Sequence, residues 1–247
     1  MTKHHLARAF APFALTLVIA GGALFTGHAR AATPTPVAQT RPSTPVIAQK
    51  DNGTWQYVTT ASESGQIRVA IGHDSSSVQA LKAFAQANRD LAKPLVTPGA
   101  KLDALITFNR PFTIDDFKKF VTDNQLSVSG YTLRATAPDG HRWTIGGTPR
   151  GGDLVPQDLL DKQFAYTVAH APGAGLNGVV DVTVSFDAAQ FGNVQATQGV
   201  FLVDITRTVA VAESRLVAPQ VVGTAKVLVD EAHPYWALED LGPQNFR

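Results

Sequence analysis

Two stretches of this sequence place chemically capable residue types close together. The first is His233-Pro234-Tyr235-Trp236, followed at the chain end by Phe246. Tyr and Trp concentrate binding energy where proteins meet, because a large rigid ring buries much area and its polar edge adds a hydrogen bond. The run either anchors a partner or folds back and seals the core edge through the same burial. The second stretch is Gly146-Gly147-Thr148-Pro149-Arg150-Gly151-Gly152. Backbone N–H groups in such a loop can cradle an anion with help from Arg150, so the candidate positions are Gly146, Gly147, Arg150 and Gly151. The competing reading is a mobile connector. The G-x-x-x-x-G-K-[ST] spacing of a phosphate loop is absent, as is the strand-to-helix G-x-G-x-x-G turn of a dinucleotide site.

Other reactive side chains are scattered. Asp115 and Asp116 stand where a helix start favours negative charge, and Asp153, Asp158 and Asp161 show no catalytic spacing. His73, His141, His170 and His233 have no two-histidine metal spacing such as H-E-x-x-H, and no G-x-S-x-G elbow is present. The chain has no cysteine, which removes disulfides, thiolate metal sites and thiol catalysis. We therefore assign no catalytic residue, metal ligand or cofactor from sequence. The formal net charge of +1 gives no electrostatic drive toward nucleic acid.

The first residues read as an address. Lys3 and Arg8 precede an apolar run from Ala9 to Leu24, and Ala29-Arg30-Ala31 supplies the small-x-small pattern of a cleavage site. Residues 1–31 are the expected signal peptide, cleaved after Ala31. The rival is a retained anchor, against which Pro12 and Gly21-Gly22 argue. Of 21 basic residues, three lie in this segment and no acid does, which leaves 18 against 20 acids and a net charge of −2. The secreted or extracytoplasmic reading follows from this segment, with membrane contact only if it stays uncleaved.

With 247 residues and 44% hydrophobic content, the rest of the chain has enough material for a substantial core. Residues 32–50, with Pro34, Pro36, Pro42 and Pro45, read as a Pro/Thr/Ala-rich spacer. Residues 51–100 hold a strand pair, Trp55 to Thr60 and Ile67 to Ile71, and a helix capped by Asp74 or Ser75. Residues 101–215 hold two strand–helix–strand units. The first runs from the strand at Leu102 to Phe108 through a helix capped by Thr113 to the strand at Leu126 to Ala135. The second runs from Val179 to Phe186, with Val180, Val182, Val184 and Phe186 on one face, through a short helix to a strand from Val200 to Val211. Between them lie a hairpin strand from Arg142 to Ile145 and a helix from Val155 to Val168. Residues 216–247 add a strand at Val221 to Val229 and the aromatic tail. The expected fold class is α+β: a ferredoxin-like split βαβ antiparallel sheet with an inserted hairpin and helix, preceded by signal peptide and spacer.

Val182-Thr183-Val184-Ser185-Phe186, a short helix and Gly199-Val200-Phe201-Leu202-Val203-Asp204 resemble the closing half of subtilisin-type propeptides and their stand-alone inhibitor relatives. The resemblance spans about residues 102–211. It implies an extracytoplasmic domain that binds a protease or assists its folding. The function read from sequence is a secreted or envelope-associated, non-catalytic binding module whose partner is a protease or an envelope component. The alternative is a secreted hydrolase with an Asp/His site. Oligomeric state is not set by the sequence.

Overall fold

The computed structural model describes residues 45–62, 64–223 and 225–246. The expected signal peptide and most of the expected spacer lie outside the described residues. The chain runs β1 (Val46–Asp51), β2 (Trp55–Ala61), β3 (Ile67–His73), α1 (Val78–Ala92), β4 (Lys101–Phe112), α2 (Ile114–Asp123) and β5 (Ser127–Thr136). It continues through β6 (Arg142–Gly147), α3 (Gln157–His170), β7 (Gly175–Asp187), α4 (Phe191–Ala196), β8 (Val200–Asp204), α5 (Thr206–Val217), β9 (Val227–Glu231) and α6 (Pro234–Leu241). Mixed α+β architecture is thus present, with two sheets and six α-helices among the described residues.

The larger sheet has the order β6-β5-β7-β4-β8, and every neighbouring pair is antiparallel. On one face, Leu102, Ala104, Ile106 and Phe108 of β4 alternate inward as a two-residue period requires. They meet Phe117 and Phe120 of α2, while Phe191 and Val194 of α4 join the same core. α2 forms where its sequence signals it. The Thr113 hydroxyl accepts from the Asp116 N–H at 3.1 Å, and Asp115 and Asp116 occupy the first turn.

The smaller sheet has the order β1-β2-β3-β9, with β9 parallel to β3 and the other pairs antiparallel. β2 and β3 therefore belong to their own sheet. α5 packs between the two sheets, against β1, β2 and β3 on one side and β4 on the other. Its hydroxyls tie them together. Thr208 Oγ1 donates to the Asp103 carbonyl and accepts from the Asp103 N–H, both at 2.8 Å, and Ser214 pairs with Thr59 at 2.6 Å.

Several expectations are corrected here. Val46–Asp51 is strand β1 rather than spacer, because it pairs in register with β2. Ser77 caps α1, accepting from the Ala80 N–H, while Asp74 turns back onto Ser76. The strand expected from Val200 to Val211 ends at Asp204, and α5 follows. The strand expected from Val221 begins only at Val227. Gly146 and Gly147 are strand residues of β6 rather than loop. Val180 does not share a face with Val182. The pairing slips between Val179 and Asp181, which puts Val180 in the second core while Val179 and Val182 stay in the first.

Candidate functional site

β6 and α3 lie between β5 and β7 in the chain, and open concave surface gathers around them. A cavity of about 380 Å³ is lined by Gly146, Gly147 and Thr148 together with Tyr131, Leu159 and Gln163. A second, of about 440 Å³, is lined by His141 and Trp143 with Pro138, Asp139, His170 and Pro172. The two border opposite ends of β6, and each takes residues from one end of α3 or the turn after it. Gly147 is required here: a Cβ at that position would lie 2.3 Å from the Tyr131 ring, which itself lines the first cavity.

The backbone of β6 is open along one side. β6 is the outer strand of its sheet, and its register against β5 runs without a bulge from Arg142 to Gly147. The Ala137 N–H donates to the His141 carbonyl at 2.8 Å, which makes 137 and 141 a hydrogen-bonded pair. Alternation along the antiparallel ladder then turns the N–H and C=O groups of Arg142, Thr144 and Gly146 outward. These same three residues are exposed. Arg142 alone is a charged edge residue, and it is held by Glu239 and Asp240.

The opposite edge is closed. Gln195 Oε1 accepts from the Val203 N–H at 3.0 Å, and its Nε2 donates to the Phe201 carbonyl at 3.3 Å. Asn88 Oδ1, fully buried, accepts from the Ile205 N–H at 2.9 Å. Two side-chain amides thus stand where a sixth strand would pair. Gln195→Ala should lower stability by about 1–2 kcal/mol in a urea titration, the cost of leaving those backbone groups without partners. A loss indistinguishable from zero would mean that water replaces the amide.

Arg150 and Gly151 are not brought to the first cavity. They sit in a turn in which the N–H and C=O groups of Arg150 and Asp153 pair reciprocally at 3.0 Å. The Arg150 guanidinium lies 2.5 Å from Asp158 and holds that carboxyl below its ordinary range. Of the four loop positions singled out from sequence, Gly146 and Gly147 share a concave surface, and Arg150 is committed to the Asp158 carboxylate.

The aromatic tail forms α6. Pro234 and Tyr235 are buried, with Tyr235 in the second core beside Leu81, Phe84 and Leu238, and burial pushes its hydroxyl up to about 12. His233 and Trp236 keep some exposed surface. Trp236 lies between the His233 ring, at 5.5 Å, and the Arg134 guanidinium, at 4.6 Å. A carboxylate stands behind each: Asp181 is 2.8 Å from His233 Nδ1, and Glu239 pairs with Arg134.

Around His233 lies a cluster of charges, of which His233 alone stood out in the sequence. Asp181 comes from β7, Asp204 from the end of β8, Arg207 from α5, Glu231 from β9, and His233 precedes α6. Arg207 and Glu231 pair at 2.9 Å with side chains 19% and 5% exposed. Burial, opposed by Arg207 and aided by Asp204, pushes Glu231 up to about 7. Burial also raises Asp204, while its partner Asp181 raises His233. His73, stacked on Phe84 at 4.5 Å, is pushed down to about 4 by burial. The cluster joins the two sheets through paired charges: Asp181 with His233 and Arg207 with Glu231. The available signal was an acid inside an apolar run, as in Val179-Val180-Asp181-Val182. Among the described residues, no group of three or more His, Cys, Asp or Glu is arranged to hold a metal ion.

No protein-family model, no curated protein and no solved structure matches this chain.

Proposed function

We propose that this protein is an exported, non-catalytic binding module that captures an extended segment of a partner protein along β6. The observation that carries this reading is the asymmetry of the larger sheet. One edge is capped by Gln195 and Asn88, and the other leaves the backbone groups of Arg142, Thr144 and Gly146 facing outward between two cavities. An extended peptide added there gains main-chain hydrogen bonds, and the flanking cavities accept side chains that set specificity. The strand order β5-β7-β4-β8, with α2 and α4 on the connections, supports reading the frame as a ferredoxin-like split βαβ unit interrupted by β6 and α3. That frame keeps the resemblance to subtilisin-type propeptides in view, and it makes a protease the first partner to try. Fold alone does not choose the partner.

The test is Gly146→Pro. Proline removes an outward N–H and leaves the ladder to β5 intact, so the chain should still fold. Parent and variant are compared for capture of a purified subtilisin-type protease and of proteins from secreted and envelope fractions. A partner held one-to-one by the parent should bind the variant at least about tenfold more weakly, about 1.4 kcal/mol. Equal capture by both chains moves the interface away from β6. No stoichiometric partner from any source ends the binding reading.

A further inference from the structure

The last turn of α5 and the turn that follows it present an apolar projection whose exposure and charge fit a lipid surface. Leu216, Val217 and Val221 are 82%, 66% and 51% exposed. They are three of the seven exposed large apolar side chains among the described residues, and they fall within six positions. Exposed aliphatic side chains gathered this closely mark an interaction surface rather than ordinary surface scatter. The projection is ordered from within. The N–H of Ala218 donates to the Ser214 carbonyl, those of Val221 and Val222 donate to Ala218, and that of Ala225 donates to Val222, at 2.8 to 3.1 Å. Pro219 has no N–H to satisfy. Val222 is fully buried and pins the turn to the body of the protein.

Two features favour lipid over a protein partner. A turn that already bonds the N–H groups of Ala218, Val221, Val222 and Ala225 internally leaves fewer backbone donors bare in a water-poor layer. Along the chain from Ser214 to Val229 there is no Asp or Glu, while Arg215 and Lys226 are exposed, and the preceding acid, Glu213, is paired with Lys50. Leucine and valine without an aromatic anchor are poor protein hot spots, whereas a bilayer requires no matching shape.

We propose that Leu216, Val217 and Val221 enter the headgroup–acyl boundary of an anionic lipid surface, with Arg215 and Lys226 lying among the headgroups. The inference is independent of the β6 edge and of the N-terminal apolar run. Three aliphatic side chains and two cations give weak, reversible and salt-sensitive contact.

The absence of cysteine makes the test clean, because an introduced thiol is the only one to label. Val217→Cys and, as a control at the end of α2, Asp123→Cys are each labelled in the full chain with a polarity-sensitive fluorophore. Each is then mixed with vesicles of phosphatidylcholine alone or with added phosphatidylglycerol. A several-fold rise and blue shift at position 217 with the anionic vesicles, with position 123 silent, is the expected result. The response should disappear in a Leu216→Ser, Val221→Ser background and weaken in roughly 1 M salt, where the screening length is about 3 Å. Equal responses at 217 and 123, an equal response to both vesicle types, or no response at 217 overturns the proposal. A response at 217 to a protein fraction but to no vesicle overturns it in favour of a protein interface. All the substituted side chains are exposed, so thermal melts of the variants should match the parent.

Discussion

Glu231→Gln will tilt the pH dependence of stability upward, relative to the parent, between about pH 4.5 and 7. In the parent two buried groups oppose each other over that range. Glu231 ordinarily titrates near 4.5 and is pushed up to about 7 in the fold, so its stabilising contribution is full below pH 4.5 and is lost as pH rises to 7. His73 ordinarily titrates near 6.5 and is pushed down to about 4, so its contribution is full above pH 6.5 and is lost as pH falls to 4. Each is worth about 3 kcal/mol at full extent by linkage, and the two slopes have opposite sign. Above pH 6.5 the carboxyl acts without that opposition. Asp204 and His233, both raised, push the same way as Glu231 and lose their contributions as pH rises. In Glu231→Gln the His73 slope loses its Glu231 counterweight. His73→Phe should do the reverse and leave stability falling from pH 4.5 to 7. Urea titrations at half-unit pH intervals read both profiles. Superimposable profiles for parent and Glu231→Gln would show that Glu231 keeps its ordinary titration in the fold.

Gly178→Ala should cost more than about 3 kcal/mol, the largest loss expected from adding one methyl group anywhere on β7. Gly178 has φ of +130°, which side-chain-bearing residues rarely adopt. Its added Cβ would stand 2.1 Å from the Phe112 carbonyl oxygen. The obstacle is backbone at the point where β4 and β7 slip register, so neither strand can yield without breaking the ladder. Gly140→Ala is the control. It also has positive φ, +83°, but nothing lies within 4 Å of its added Cβ, so about 1 kcal/mol is expected. Denaturant unfolding separates the two, and similar losses at both positions would mean that conformational strain alone, without overlap, governs Gly178.

Much of the larger sheet was legible because its signals are local. Thr113 with Asp115 and Asp116 announces α2, and Pro138-Asp139-Gly140 announces the β5–β6 hairpin. α5 was not legible. Thr206, Val209 and Val211 favour strands, and the residues that bury its face, Thr206, Ala210 and Ser214, are small or polar and leave no apolar stripe. Their spacing of four acquires meaning only when two sheets supply the hydroxyl partners and the packing. The charge cluster was hidden for a related reason. Asp181 and His233 stand 52 positions apart, and sequence carries no measure of their separation in space. The tail was legible as unusual, but whether its rings faced inward or outward depended on α1 and β4, which supply the surface it covers.

The parallel pairing of β9 with β3 sets an order of assembly. Ile67 through Ile71 find their outer neighbours at Val227 through Glu231, and Lys50 meets Glu213 across 163 positions. Contacts this distant in sequence close late, because the intervening chain must lose its freedom first. During synthesis β1, β2 and β3 emerge before any other described strand, yet they wait for α5 and β9 to supply their core and their last edge. Until then the early strands present apolar side chains and unpaired backbone, the surface that holding chaperones recognise and aggregation exploits. A nascent chain halted before Val227 would carry all five strands of the larger sheet and an unfinished smaller one. The first described strands are thus completed only by β9, so emergence of β9 governs when the fold becomes resistant to proteolysis.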